Sequence, residues 1–123
     1  MKPQARLIKD YVKKWVPIIG LQHWDIKVRF YYLKDTTRYA SATTLPQYNE
    51  LVLDFNLTKV KEFDEEGLEK LVLHELCHAP IAMVSHHLTG HRNEKMISYL
   101  DEQATSTFAN ALWRATGRKL GHV

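Results

Sequence analysis

Residues 71 to 78 read Leu-Val-Leu-His74-Glu75-Leu76-Cys77-His78, and a second helical stretch further along carries Asp101-Glu102. Residues four apart share a face of an α-helix, so His74 and His78 present their imidazoles side by side, with Glu75 projecting next to them. Two histidines at this spacing match a zinc site that takes a third protein ligand and keeps a fourth position for water; Glu75 is then an unligated carboxylate placed to accept a proton. The same reading implies the architecture. A motif helix and a later ligand helix have to cross at one point, which sets a helical half beside whatever the first 60 residues form.

The motif lies late in its helix. Asp64 is placed as N-cap, Glu65 and Glu66 put negative charge in the first turn, and Leu68, Leu71, Val72 and Leu76 make one side apolar. Pro80 is expected to kink or finish the helix near Met83, leaving 85–91 as a polar connection. A last helix is predicted over Asn93–Arg114, with Ile97, Leu100, Ala104, Phe108, Ala111 and Leu112 inward and Gly117 as its stop.

Ahead of the motif, Ile8, Val12 and Trp15 give Gln4–Val16 the spacing of an amphipathic helix, ended by Pro17 and Gly20. Trp24–Leu33 alternates between apolar and polar residues, the period of a half-buried strand. Tyr39–Thr44 and Glu50–Phe55 read as two further strands, and the short connections predict an antiparallel meander. The expected fold class is α+β: an N-terminal helix and a small antiparallel or mixed sheet, then the motif helix and a glutamate-bearing helix.

A length of 123 residues with 45% hydrophobic and 25% charged content fits one domain over 1–123. The apolar runs are too short to span a bilayer, and the charged start lacks a secretory core, so a cytoplasmic protein is expected. The single cysteine, Cys77, agrees with a reducing compartment and reads as a small buried helix residue rather than a ligand. A net charge of +3 permits attraction to nucleic acid without requiring it. Lys2, Arg6, Lys9 and Lys13 lie opposite the apolar stripe, as in the solvated face of any amphipathic helix.

The third ligand has several candidates: Glu102, Asp101, and the histidines His86, His87 and His91. Periodicity does not separate Asp101 from Glu102. A carboxylate on the following helix is the simplest choice.

At these residues the chain resembles the gluzincin zinc metallopeptidases. In that clan the His-Glu-x-x-His helix is followed by a helix whose ligand glutamate stands in a run similar to Asp101-Glu102-Gln103-Ala104-Thr105-Ser106-Thr107-Phe108. The resemblance implies a zincin-like fold, zinc held by His74, His78 and Glu102, and peptide-bond hydrolysis with Glu75 as general base. It also implies an edge strand, at Ala40, Ser41, Ala42 and Thr43, that pairs with the backbone of a peptide or protein substrate. The acid that orients the first histidine in larger relatives falls at Ser106, which leaves Ser106 or Thr105 for that task. The oxyanion donors of those relatives lie beyond the matched region; Tyr39, Tyr48, Tyr99, His87, His91 and His122 are the replacements available here. Two other families are similar around the motif. SprT-like proteases, which act near nucleic acid, would take their third ligand from Gly90-His91, and the ImmA/IrrE-like regulators place a glutamate ahead of a Phe-Ala pair, as at Phe108-Ala109. The rival from another class is a non-enzymatic binding module built around the metal.

Overall fold

The computed structural model describes residues 3–88 and 94–117. Helix α1 (Pro3–Ile19) leads into strand β1 (Asp25–Tyr31); strands β2 (Ala40–Leu45) and β3 (Glu50–Asn56) are joined by a single turn at Pro46–Tyr48. A one-turn helix α2 (Leu57–Val60) then precedes the long helices α3 (Glu65–Leu88) and α4 (Glu94–Leu112), the latter ending in a wider π-wound turn, Trp113–Gly117. The class is α+β, with an N-terminal helix, a small mixed sheet and C-terminal helices. Among the described residues no helix is long and apolar enough to cross a membrane.

The sheet corrects the expected meander. Its order is β1-β3-β2: β3 is central, antiparallel to β2 and parallel to β1. The turn after β2 is of hairpin length, and Asn49 closes it in the left-handed conformation (φ 52°), which asparagine tolerates better than most residues. The connection from β1 to β2 is longer and passes over the end of β3. Asn56 holds it there. Its side chain, fully buried, accepts from Leu33 N–H (3.1 Å) and donates to the carbonyls of Leu33 (2.8 Å) and Arg38 (3.3 Å). Its Oδ1 also accepts from Thr58 N–H (3.1 Å), capping α2. A buried amide with its bonding capacity met in this way makes the crossing a defined path.

One face of the sheet is apolar. The register sets Ile26 opposite Leu51, Val28 opposite Leu53 and Phe30 opposite Phe55, and these residues belong to the core with Ile8, Val12 and Trp15 of α1 and Leu68, Val72 and Leu76 of α3. The other face is polar, and there Arg29 pairs with Asp54 through two bonds (2.8 and 3.0 Å). Between the helices, Glu69 accepts from Lys14 (2.6 Å) and from the indole N–H of the buried Trp15 (2.8 Å), locking α1 to α3.

Helix boundaries differ from the sequence expectation where proline was given too much weight. Pro17 lies inside α1, which runs on until Gly20 (φ 89°) turns the chain and its N–H bonds the Val16 carbonyl (3.1 Å). Pro80 lies inside α3, which passes Met83 and continues to Leu88. A helix-interior proline costs on the order of 3 kcal/mol, and α3, apolar on nearly every side, packs against α1, β2 and α4 strongly enough to offset it. In α4 the inward stripe is shifted: Leu100 is 54% exposed and Ala104 and Ala111 face solvent, while Thr105 and Ala109 are buried. The apolar residues alone mislead there because a polar residue, Thr105, occupies the contact with α3.

Candidate metal centre and cleft

Asp64 starts α3 as expected, its Oδ1 accepting from Gly67 N–H (2.8 Å). Gly67 has little room for a side chain, since a Cβ would meet Asp64 Oδ1 and Phe63 Cδ1 at 3.0 Å each. From this fixed start the helix carries His74 and His78 on one face, their rings 5.1 Å apart and nearly perpendicular. Helix α4 brings Glu102 across to both: Oε1 lies 2.7 Å from His74 Nε2 and Oε2 lies 3.4 Å from His78 Nε2. One ligand atom from each of the three falls within 4.8 Å of the others. Asp101 is turned elsewhere, accepting from Ser85 Oγ at 3.0 Å. The side chains of His86 and His87, and His91 and His122 altogether, lie outside the described residues.

Thr105, fully buried, sets the chemistry of His78. Its hydroxyl has one proton, which it donates to the Asp101 carbonyl (2.7 Å), so toward His78 Nδ1, 3.5 Å away, it acts as acceptor. That contact is long, but it favours the tautomer with the proton on Nδ1 and the lone pair on Nε2. Burial also holds His78 below the usual histidine pKa, with the charge of Glu102 opposing. His78 Nε2 and Glu102 Oε2 then face each other as two acceptors, an arrangement that a cation between them satisfies. The donor set of two nitrogens and one oxygen fits zinc, and three protein ligands leave a position for water. Thr105→Val, which keeps shape and loses the acceptor, should lower zinc affinity by about 10–100-fold with the fold retained. Unchanged affinity in a competition titration would mean that another group orients His78.

Glu75 is buried, only 5% exposed, and its Oε2 has no hydrogen-bond partner. Burial lifts its carboxyl to about 7; the charge of Glu102 adds to the rise and Arg38 opposes it. A buried carboxyl with an unpaired oxygen is costly, and such groups concentrate where proton transfer occurs. It opens on a cleft of about 250 Å³ lined by Arg38, Ala40, Ser41, Ala42, His78 and Glu102. Cys77 is fully buried and its thiol is pushed up to about 12, so it is no thiolate ligand.

Three of the four residues expected to meet substrate therefore line the cleft. Thr43 does not; it is exposed on the strand beyond it. β2 is an edge strand, and the register tells which of its backbone groups are open. Asn56 N–H bonds the Tyr39 carbonyl (2.9 Å), making that a bonded pair, so the alternate positions Ala40 and Ala42 turn their backbone groups away from β3. Their small side chains pack toward the core on the side of α3.

The oxyanion candidates from the sequence are not in the cleft. Tyr39 donates to Glu62 (3.2 Å) and stacks edge-on against Phe63, while Tyr48 and Tyr99 are 69% and 61% exposed. Ser106 shares a separate hollow of about 320 Å³ with His74, Phe63, Leu71 and Trp113 but makes no hydrogen bond to the ring. One residue of the site is not legible in the sequence: Arg38 sits in a polar stretch that reads as turn. Thr105, a candidate with Ser106 for orienting His74, lies against His78 instead.

No protein-family model, curated protein or solved structure matches this chain.

Proposed function

We propose that this protein is a small zincin of the gluzincin type that hydrolyses peptide bonds. The observation that carries the reading is the pairing of a His74–His78–Glu102 ligand set with a separate buried carboxyl, Glu75, whose Oε2 is unpaired beside an open strand edge. A structural metal site has no use for that fourth group. Zinc held by His74, His78 and Glu102 would supply Lewis acidity to the carbonyl and a lowered pKa to water. The chain's own residues do the rest. The free backbone groups of Ala40 and Ala42 hold an extended peptide by strand addition. Glu75 Oε2 takes a proton from the attacking water as its oxygen bonds to the carbonyl carbon; when the C–N bond breaks, Glu75 returns that proton to the amine nitrogen. Thr105 keeps His78 in its ligating tautomer throughout.

The test uses the protein loaded with one equivalent of zinc and an unstructured protein substrate, with products read by mass spectrometry. New termini support the reading, whereas tight peptide binding without cleavage favours the binding module. Ala42→Pro removes a backbone donor on the open side only, so it should weaken peptide binding while zinc content and melting temperature stay close to wild type. Equal peptide binding by the variant would move the docking site away from β2.

A further inference from the structure

Arg38 is the sole cation among the residues lining the cleft, where it stands with Glu75, His78 and Glu102. Unlike Arg29, which is spent on Asp54, its guanidinium forms no ion pair with a carboxylate among the described residues. Its backbone, by contrast, is fixed on both sides. The carbonyl accepts from the buried Asn56 amide (3.3 Å), and the N–H donates to Thr36 Oγ1 (3.2 Å). The next residue, Tyr39, packs its ring on Phe63 and donates to Glu62, while Arg38 itself lines the cleft beside Ala40. The protein thus builds a rigid mount for a guanidinium at the start of the strand edge that would receive a peptide. The guanidinium is exposed, and it feels the charge of Glu75 across the cleft without forming a salt bridge to it.

We infer that Arg38 selects peptides that present a carboxylate, from an acidic side chain or a free C-terminus, at its end of the β2 edge. This rests on the peptidase reading above. A guanidinium binds a carboxylate through two parallel N–H bonds, a geometry that neutral or basic groups do not match. Elsewhere in the cleft Glu75 and Glu102 repel such a group, so the preference has one location. Positions nearer the metal centre should disfavour acidic residues for the same reason.

The test measures peptide binding by calorimetry to zinc-loaded protein carrying Glu75→Gln to prevent cleavage. Three peptides of one length are compared: an internal glutamate with an amidated C-terminus, glutamine in its place with an amidated C-terminus, and glutamine with a free C-terminus. A carboxylate peptide should bind about tenfold or more tightly than the neutral one, the scale of a hydrogen bond to a charged group, and the two carboxylate arms identify its source. Arg38→Gln should erase the difference, and Arg38→Glu should transfer the preference to a lysine-bearing peptide. Both changes leave the backbone contacts to Asn56 and Thr36 in place, so zinc content and melting temperature serve as controls. Binding that ignores peptide charge overturns the inference alone. So does an equal loss of kcat on all peptides by Arg38→Gln in the Glu75 protein, with KM unchanged, since that places Arg38 on the reacting carbonyl. Absence of peptide binding by every form removes the peptidase reading and this inference with it.

Discussion

Glu75→Gln should keep the fold and the metal and lose peptidase activity by a factor of about 10²–10⁴ or more, the range expected for a positioned general base. The substitution is nearly isosteric, and Glu75 is not among the ligand atoms that meet at Glu102, so zinc content has no reason to change. The amide cannot accept a proton from water. The effect should fall on kcat more than on KM, because Glu75 acts on the reacting atoms and not on the edge of β2 where the peptide backbone docks. Turnover within a factor of a few of wild type would remove Glu75 from the mechanism and leave its buried, unpaired Oε2 unexplained.

Loss of any one of His74, His78 and Glu102 should reduce zinc affinity by more than the roughly 10–100-fold assigned above to an orienting partner such as Thr105. Zinc binding to the folded chain raises stability by mass action, about 2.7 kcal/mol at a free concentration one hundred times Kd. A zinc-dependent rise in melting temperature, present in wild type and absent in His74→Ala, His78→Ala and Glu102→Ala, is therefore the expected pattern. Asp101→Asn should retain it, since Asp101 bonds Ser85 and not the histidines. If His91→Ala abolished the rise while Glu102→Ala preserved it, the third ligand would be His91, as in the SprT-like arrangement. The approach of Glu102 to both imidazoles would then hold no metal.

The sequence by itself determined the local features. The i, i+4 histidines, the buried stripe of Ile8, Val12 and Trp15, the alternation in β1 and β3 and the Asp64 cap all follow from the helical and strand periods and from the hydrogen-bonding needs of a helix start, which act within a few residues. Helix α1 runs through Pro17 to the expected stop at Gly20, and α3 runs through Pro80 past Met83, because a local penalty of about 3 kcal/mol ends only a helix with little packing to offset it. Tertiary structure decided which elements meet. An alternating pattern states which face of a strand is buried and is silent on its neighbour, so the parallel pairing of β1 with β3 waited on Asn56 and the loop it holds over the sheet. The same limit governs the site. Asp101 and Glu102 are adjacent in sequence and chemically alike; only the rotation of α4 against α3 turns one to Ser85 and the other to the two histidines. Arg38 is a loop arginine until the chain crossing lays it beside Glu75, because a side chain's charge is local while the cavity it enters is made by residues far apart in the chain.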